Sequence, residues 1–595
     1  MAIKRFTSVL VLSLALSAVS IAQKPAAQLP RTYVDATWAI PTGTKWPAHT
    51  AAQFSSALTS AQPGDVIVLD AGVVYTGNFK VPAKSNPNRQ WIYIVSSALS
   101  SLPAPGTQVS PSDAVNMPKI VTPNVSQVLS FWAGANHIRV AGVEIYSAST
   151  YHPAVYTPGV YYGYAMVSIA GAWQNWGSNI PDHIIFDRCY VHGDATHDVQ
   201  EGIQLNFSNA AVVDSYISDI HMKGTDTQAI AAYYTPGPIL IHNNHLEAAG
   251  ENVIFGGAGR NYDLWVPSDI TVTNNYIYKP LSWIPNSLSG CTVCYVVKNS
   301  FELKSAQRVL FDSNVIENKW SAAQVGGAFL FTIRTSQSGD IAVVHDVTVT
   351  NNIFKNVVSG FDVMEADYSC GVAPYTNCHN AGDTDRIVIQ NNLVLLGDPT
   401  QTGWINQHSG LIKFSTGANM LTSPVTYPPV KDVLVQHNTV VSNPNGPCWS
   451  SVYFDAPGVW KLPFPYPPTN NVWILDNELC RQPTGDWGLH GTSGLTQYMG
   501  TPGTPLYDLT QRFYGNVMYV PVGDKVQAFP PHNYATTVPI VYANHPIADY
   551  QLVSPYWTDT SDGQLAGVNF TGSTGQPTGQ RAVEPGSSQS TSKSR

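Results

Sequence analysis

The chain has few charged residues for its size. Asp, Glu, Lys and Arg make up 12% of its 595 residues, which is about half the usual share in globular domains. The 39 acidic residues outnumber the 30 basic ones and leave a net charge of −9. No basic stripe marks any segment, so we do not expect nucleic acid as a partner.

Long apolar runs are scarce as well. The run at residues 9–19 follows Lys4 and Arg5 and is too short to span a membrane. The small residues Ser20 and Ala22 after it complete the pattern of a secretion signal. We therefore expect residues 1–22 to be a signal peptide, no membrane span, and a secreted protein, either extracellular or periplasmic.

Cysteine is limited to seven residues. In an oxidising compartment an odd number leaves at least one thiol unpaired within the chain. Cys291 and Cys294 are interpreted as a local disulfide or free thiols rather than a zinc half-site, because no second pair lies at zinc-finger spacing. Cys189 is expected to be buried. Two pairs are spaced for disulfides: Cys370 with Cys378, and Cys448 with Cys480.

The dominant pattern is a short repeat, in which alternating apolar residues lead to an Asn and an apolar residue follows two positions later. The copies are separated by 26 to 46 residues. Six strong copies are centred on Asn244, Asn275, Asn314, Asn352, Asn392 and Asn438. Weaker copies are centred on Asn477 and Asn516, and two earlier ones carry Cys189 and Ser215 in place of Asn.

Each copy predicts a strand, a tight bend and a second strand. Asn suits such a bend because it tolerates the left-handed backbone conformation. A period of variable length is typical of a solenoid whose side loops differ, and stacked Asn side chains could form a hydrogen-bonded ladder. The predicted fold is all-β, a right-handed parallel β-helix. An antiparallel sandwich or a propeller would not place eight Asn residues in one register.

The expected organisation is one long domain with short additions. Residues 49–61 have the pattern of an amphipathic helix, which would cap the first open edge of the solenoid. Residues 571–595, rich in Ser, Gly, Thr and Gln, are expected to be disordered. The other assignments are an extended lead-in at 23–48, the β-helix domain at 49–570, and long side loops at 395–430 and 441–470.

Parts of the chain resemble known β-helix proteins. Residues 63–69 and 75–79 resemble the opening coil of secreted pectate-lyase-like right-handed parallel β-helix proteins. A narrower group of secreted bacterial β-helix proteins, without an established activity, is similar at residues 226–230, 250–258, 266–270, 278–283 and 297–304. The resemblance covers about residues 50–570 and implies the fold. It implies a carbohydrate-related role only weakly, because β-helices carry many functions.

Candidate site residues lie on one face of the predicted rod, where a linear polymer could bind. In residues 301–304 the alternation points Phe301 and Leu303 inward, and therefore Glu302 and Lys304 outward. Equivalent strands would add further residues in coils about 4.8 Å apart. The expected row consists of Gln228, Glu251, Glu302, Lys304 and Arg334, and further substrate-binding candidates are Asn252, Lys298, Asn299 and Lys413.

Such a row favours a polysaccharide lyase acting on a uronate-containing glycan. Elimination requires a base for the C5 proton and a cation that opposes the sugar carboxylate. Lys304 is the candidate base and Arg334 the candidate neutralising group. Glu251 and Glu302 would bind sugar hydroxyls or a Ca²⁺ ion. The alternative interpretation of Glu302 and Lys304 is an ordinary solvated ion pair.

Other functions stay open at this point. Glu251 and Glu302 could serve a glycoside hydrolase, although the Asp clusters of polygalacturonase-like β-helices are absent. A non-catalytic glycan-binding or surface protein is a further alternative. Under each of these hypotheses we expect a monomer. A metal ion could bind a second group of polar residues, made up of His192, Asp194, His197, Asp198, Glu201, His221 and Asp226.

Overall fold

The computed structural model describes most of the chain between residues 23 and 568. Residues 1–22 and 571–595, assigned above to the signal and the tail, lie outside the described residues. The described ranges are 23–39, 41–147, 165–170, 179–195, 197–257, 265–284, 295–334, 342–365, 384–401, 410–415, 429–446, 448–455, 469–485, 495–496, 499, 509–537, 540, 542–544, 549–552 and 559–568.

Three long parallel sheets form the body of the molecule, and each coil of the chain supplies one strand to each sheet in turn. The first sheet consists of Lys45–Ala48, Val66–Leu69, Ile92–Ser96, Asn136–Ala141, Asp182–Asp187, Ser208–Val213, Ile239–His242, Ser268–Thr273, Ala306–Asp312, Val344–Thr350, Thr384–Gln390, Val430–Gln436, Thr469–Leu475 and Phe513–Tyr514. The second consists of Val74–Thr76, Lys119–Thr122, Glu144–Ser147, Tyr190–His192, Tyr216–Ile220, His245–Ala248, Tyr276–Tyr278, Val315–Lys319, Ile353–Val357, Leu393–Leu396, Thr439–Val441, Glu478–Leu479, Val517–Tyr519 and Tyr534–Thr536.

The third sheet carries the candidate site. It consists of Phe79–Val81, Leu129–Phe131, Ala165–Ile169, Glu201–Gln204, Gln228–Ala232, Glu251–Phe255, Phe301–Leu303, Phe329–Thr332, Phe361–Met364, Ile412–Ser415, Val452–Asp455 and Thr484–Gly485. An antiparallel pair and the helices complete the elements: Tyr542–Asn544 with Asp549–Leu552, α-helices Ala51–Ser60 and Leu509–Arg512, and 3₁₀ turns Leu99–Ser101, Pro111–Asn116 and Leu281–Trp283. The predicted right-handed parallel β-helix is therefore confirmed.

The helix Ala51–Ser60 covers the first coil. Thr50 precedes it, and the Thr50 hydroxyl accepts a hydrogen bond from the Gln53 amide at 3.2 Å, as N-capping residues do. Phe54 is fully buried, with its ring 4.6 Å from that of Phe79 and 6.0 Å from that of Tyr75. Burying a ring of this size contributes about 2–3 kcal/mol, so the helix closes the apolar end of the rod.

The Asn ladder connects the coils inside the bend between the first and second sheets. Each side-chain Nδ2 donates to the Oδ1 of the next Asn at 2.9–3.1 Å, from Asn244 through Asn516 to Asn533. Earlier in the chain, the Ser215 amide donates to Asn244 Oδ1 and the Cys189 amide donates to Ser215 Oγ. Asn533 was not predicted, because Pro530 and Pro531 replace the alternating apolar residues that precede the other copies.

The left-handed residues of the bend are not the ladder residues. Positive φ angles occur one position earlier, for example 55° at Asn243, 57° at Asn274 and 59° at Asn351. Our explanation of the ladder Asn by its tolerance of this conformation was therefore wrong. The ladder selects Asn for its amide, which both donates and accepts, whereas the preceding residue has to adopt the strained backbone.

One continuous apolar core fills the space between the sheets. Phe301, Phe311 and Phe329 pack there with ring centroids 4.7–5.1 Å apart. The predicted loops at 395–430 and 441–470 were wrong in part, because they contain the third-sheet strands Ile412–Ser415 and Val452–Asp455. The first of these strands agrees with the alternation at residues 411–414 that made Lys413 a candidate, whereas Pro- and Gly-containing segments hid the second.

The lead-in runs along the outside of the first sheet. The Gln28 amide donates to Asp346 Oδ1 at 3.0 Å, and the Arg31 amide donates to Asp269 Oδ1 at 2.9 Å. Closer to the N-terminal end of the rod, the Tyr93 hydroxyl donates to the Ala39 carbonyl at 2.6 Å. A single extended segment therefore fastens coils that lie far apart along the axis.

The cysteine predictions can be checked in part. Cys448 and Cys480 form a disulfide, as predicted, and Cys189 is free and buried. The pairs Cys370 with Cys378 and Cys291 with Cys294 lie outside the described residues. Where the structure is described, no helix is long and apolar enough to cross a membrane.

Replacing Asn352 with Ala should destabilise the rod strongly. The Asn352 amide donates to the carbonyls of Phe311 and Thr350 and to Asn392, and its Oδ1 accepts from Asn314. Buried groups left without partners cost about 1–3 kcal/mol each, so we expect a loss of about 3 kcal/mol or more in denaturant unfolding. Asn445→Ala is the control, because Asn445 is exposed. Equal stability of the two variants would contradict a role for the ladder.

Candidate active site

Two carboxyl groups and two lysines meet on the outer face of the third sheet. Glu251 begins its strand, and Glu302 lies in the middle of the next strand. Lys298 precedes that strand and Lys304 follows it. Phe301 and Leu303 are part of the core, as predicted, so Glu302 between them faces outward.

The four groups form a close network. Lys298 Nζ lies 2.5 Å from Asp226 Oδ2 and 3.4 Å from Glu251 Oε1. Lys304 Nζ lies 3.8 Å from Glu302 Oε1. Both glutamates are buried, with 0% and 2% of the residue exposed, whereas the Lys304 side chain keeps 15% of its surface accessible. Of the contacting pair Glu302 and Lys304, Lys304 is therefore the residue that a bound molecule could reach.

Glu302 is a neutral acid at neutral pH. Burial, together with the neighbouring Glu251 carboxylate, raises its pKa to about 8, although Lys304 and Lys298 oppose the shift. Within the described structure, Glu302 Oε2 is buried and no donor lies close to it. A proton on Glu302 explains this geometry, because the protonated carboxyl group can donate to Glu251.

Glu251 stays ionised beside it. Burial would raise its pKa, but Lys298, Lys304 and the hydrogen bond from Gln228 outweigh that effect and hold the pKa below its ordinary value. Gln228 Nε2 donates to Glu251 Oε2 at 2.7 Å. The pKa of Lys298 is raised, since the attraction of Glu251 and Asp226 exceeds the cost of its burial. The pair thus consists of one neutral and one charged carboxyl group.

The site extends by one further coil toward the N-terminus. Glu201, Gln228 and Glu251 lie in register on neighbouring strands. The Tyr233 hydroxyl lies 2.7 Å from Glu201 Oε1, and burial raises the pKa of Glu201. Neither Glu201 nor Tyr233 was predicted for this site. Glu201 lies 12 residues after the ladder position Cys189, whereas Glu251 lies 7 residues after Asn244, so the distance from the ladder does not reveal it.

The predicted single row was wrong. Glu302 pairs in register with Ile254 and Leu330 rather than with Glu251, because the packing of Phe301 on Val253 fixes the alignment. Glu251 reaches Glu302 diagonally. Arg334 lies after its strand, with its amide donating to the Lys304 carbonyl at 2.9 Å, and is exposed. It is therefore next to Lys304 in the following coil.

Three proposed substrate-binding residues lie elsewhere. Asn252 and Asn299 are fully buried. The Asn252 amide donates to the carbonyls of Leu246 and Tyr278, and that of Asn299 donates to the Phe301 carbonyl. These contacts assign both residues to the scaffold. Lys413 belongs to the same sheet as Glu302 but three strands further along it.

The second polar group does not form a metal centre. His192 pairs with Glu144 at 3.1 Å, His197 with Asp194 at 2.6 Å, and His221 with the Asp194 carbonyl at 2.8 Å. Asp226 contacts Lys298, and Glu201 contacts Tyr233. Within the described ranges, the group of three side chains close enough for a metal ion lies elsewhere, at His437, Asp476 and Asp562.

Ca²⁺ does not fit the candidate site well. This ion requires six to eight oxygen ligands. Around Glu251 and Glu302 the structure places the ammonium groups of Lys298 and Lys304 instead. These cations, together with the proton on Glu302, already balance the carboxyl groups, so we assign no step to Ca²⁺.

Two glycines shape the wall beside Lys304. Gly256 and Gly257 have φ angles of 72° and 95°, which side chains rarely adopt. A Cβ at Gly257 would overlap the stem of Lys304, and one at Gly256 would press on the Ser305 backbone. The close approach of this turn fixes the path of the Lys304 side chain.

The sequence matches no protein-family model, and no curated protein matches it. Several solved structures are similar. An alginate lyase of the PL6 family, AlyGC, is 13% identical with a TM-score of 0.43, covering 90% of this chain and 58% of its own. A pectate lyase, Pel9A, is 12% identical with a TM-score of 0.33, covering 61% and 81%. The GH136 lacto-N-biosidase from Eubacterium ramulus is 12% identical with a TM-score of 0.36, covering 83% and 68%.

These likenesses concern the architecture. Identities of 12–13% and TM-scores of 0.33–0.43 carry no argument about activity. The three proteins also perform different reactions according to their names, so any function must be argued from the site itself.

Replacing Glu302 with Gln should change how stability depends on pH. The pKa of Glu302 rises from 4.5 to about 8 on folding, so the folded protein binds more protons than the unfolded chain between these values. Stability then falls as pH rises through this window, by at most about 1.4 kcal/mol per pH unit. Glu302→Gln removes the ionisation, so its stability relative to the natural protein should increase from pH 5 to 8.

Chemical denaturation at several pH values measures this difference. Glu317→Gln is a suitable control, because Glu317 lies on the second sheet and its side chain is 30% exposed. A stability difference for Glu302→Gln that stays constant across the window would show that Glu302 is ionised in the folded protein.

Proposed function

We propose that the protein is an exported enzyme that cleaves a uronate-containing polysaccharide by β-elimination. The observation that carries this proposal is the placement of Lys304. Its side chain is partly accessible, as is that of Lys298, and it lies beside the neutral Glu302 carboxyl group on the outer face of a long parallel sheet. The face is elongated along the rod axis, which suits a linear polymer.

Elimination can be written with the side chains present. The Lys304 amine removes the C5 proton, the electron pair forms the C4–C5 double bond, and the C4–O4 bond breaks. The resulting Lys304 ammonium group then returns its proton to the leaving O4 on the same side of the sugar ring. Arg334, in the next coil, opposes the charge that develops on the sugar carboxylate.

Glu302 acts as a positioning residue in this scheme. The neutral carboxyl group of Glu302 contacts Lys304 at 3.8 Å without adding a second negative charge beside Glu251. This contact helps to fix the position of the Lys304 side chain at the outer face of the sheet. Burial and Glu251 together maintain the neutral form, since they raise the pKa of Glu302.

The same geometry disfavours a glycoside hydrolase at this site. Hydrolases place their two carboxyl groups about 5 Å or more apart, so that the sugar or a water molecule fits between them. Glu251 and Glu302 are in hydrogen-bonding contact instead. Their arrangement suits proton sharing rather than attack from opposite faces of a sugar.

Incubation with a panel of polyuronates should release products with the ultraviolet absorbance of an unsaturated uronate. Lys304→Ala should lower kcat by about 100-fold or more, since proton transfer contributes about that much. Lys80→Ala is the matched control, because Lys80 is exposed on the same sheet at its far end. Circular dichroism would verify that both variants are folded.

Three outcomes would redirect the proposal. Full activity of Lys304→Ala would remove Lys304 from the mechanism. New reducing ends without unsaturation would identify a hydrolase. Binding of a polyuronate without any cleavage would support the non-catalytic alternative, in which the rod serves as a glycan-binding surface.

A further inference from the structure

A cavity of about 400 Å³ lies between the lead-in and the first sheet. The lead-in contributes Tyr33 and Asp35 to its lining, and the side of the rod contributes Trp91, His137 and His183. The volume falls within the range of small-molecule sites. Because the candidate active site lies on the third sheet, this cavity belongs to a different face of the rod.

The lead-in is anchored where it crosses this part of the sheet. The Arg31 amide donates to Asp269 Oδ1 at 2.9 Å, and the Thr37 carbonyl accepts a hydrogen bond from Arg139 Nη1 at 2.9 Å. Between these two points, Val34 is buried in an apolar cluster on the sheet. The cavity is therefore enclosed by a segment that the fold holds in place.

Two histidines form the base of the cavity. His137 and His183 occupy the same position in neighbouring coils, and both have a φ angle of 54°, a conformation that costs energy for such side chains. Their rings are stacked, with centroids 4.2 Å apart. Trp91 stands edge-on to both, at 5.4 and 6.2 Å. This packing fixes the orientation of both imidazole rings.

The same position is occupied differently further along the rod. There Asp269 pairs with Arg308 at 2.6 Å, and Asp346 pairs with Arg386 at 2.8 Å. The lead-in also contacts both aspartates directly. In the two histidine coils, by contrast, each ring bonds through Nδ1 to the residue before it, and Nε2 has no hydrogen-bond partner in the described part of the structure. These coils therefore keep polar groups available to a ligand.

His137 offers an acceptor. The Asn136 side-chain amide donates to the Gly134 carbonyl at 3.0 Å, so Asn136 Oδ1 is the atom that accepts from His137 Nδ1, at 3.1 Å. Burial, with repulsion by His183 and Arg89, lowers the pKa of His137 to about 4. The ring is then neutral at neutral pH, and its Nε2 carries a lone pair that can accept a hydrogen bond.

The charged groups around the cavity balance each other. Arg89 is exposed, and its guanidinium group makes no hydrogen bond or ion pair with the described residues. Asp35 supplies one carboxylate, whose Oδ1 accepts from the Thr37 amide at 2.9 Å. Donors and acceptors of opposite charge suit hydroxyl groups, which both donate and accept. The aromatic rings of Tyr33 and Trp91 suit a ligand with apolar surface.

We propose that this cavity binds an uncharged saccharide unit, as an accessory site remote from the candidate active site. Arg89 donates to sugar oxygens, and Asp35 and His137 accept from sugar hydroxyl groups. The inference is independent of the proposed function, because an uncharged sugar lacks the carboxylate that elimination requires. Binding on the first sheet also leaves the third sheet free for another part of a glycan.

Calorimetry with a panel of uncharged oligosaccharides built from glucose, galactose, mannose or xylose tests this inference. At least one of them should bind the natural protein. Arg89→Ala and His137→Asn should each weaken that binding by about tenfold, through loss of one hydrogen-bonding group. Arg89→Ala removes an exposed side chain, and Asn at position 137 tolerates the left-handed backbone, so both variants should fold.

Two controls locate the binding. Arg31→Ala should bind the same sugar unchanged, because the Arg31 side chain is exposed and contacts Gln28, whereas the backbone amide that anchors the lead-in is retained. Lys304→Ala should also bind it unchanged. The inference is overturned if no oligosaccharide of the panel binds, or if both cavity variants keep full affinity. Binding that is lost in Lys304→Ala and kept in the cavity variants would place the sugar on the third sheet instead.

Discussion

The ladder of buried Asn side chains is the interaction on which the remaining structure depends. Each amide donates to the ladder Asn of the next coil, and its Oδ1 accepts from the coil before, along the series from Asn244 to Asn533. The ladder holds the bend between the first and second sheets at a constant place, while loops elsewhere vary in length. Because the bend is constant, the second-sheet strand after it begins in register in every coil.

The candidate site uses this register. Short strands with inward Phe and Leu residues project the alternate side chains outward, and stacking brings charges from different coils together. Glu251 and Glu302 come from separate coils and differ in row, yet the sheet keeps Glu251 close enough to add to the effect of burial in raising the pKa of Glu302. A rigid frame can maintain such a contact, whereas a mobile loop would let the two like charges separate.

The sequence alone predicted the architecture and most of the first cluster. The repeat of Asn244 to Asn438 determined the fold class, and period-two alternation correctly pointed Glu302 and Lys304 outward. The diagonal contact between Glu251 and Glu302 was not predictable, because it depends on which core residues face each other across two coils. Glu201, Tyr233 and the buried Lys279 were missed for the same reason: their partners lie on strands whose alignment no local pattern fixes.

Burial explains why Lys304 and the lysines behind it differ in role. Lys279 and Lys319 are fully buried, and backbone carbonyl groups accept hydrogen bonds from their ammonium groups. A bound sugar cannot reach them, so they act only through the carboxyl groups in front of them. Lys304 and Lys413 keep 15–16% of their side-chain surface accessible. Of these two lysines, only Lys304 lies beside a neutral carboxyl group that is paired with a charged one.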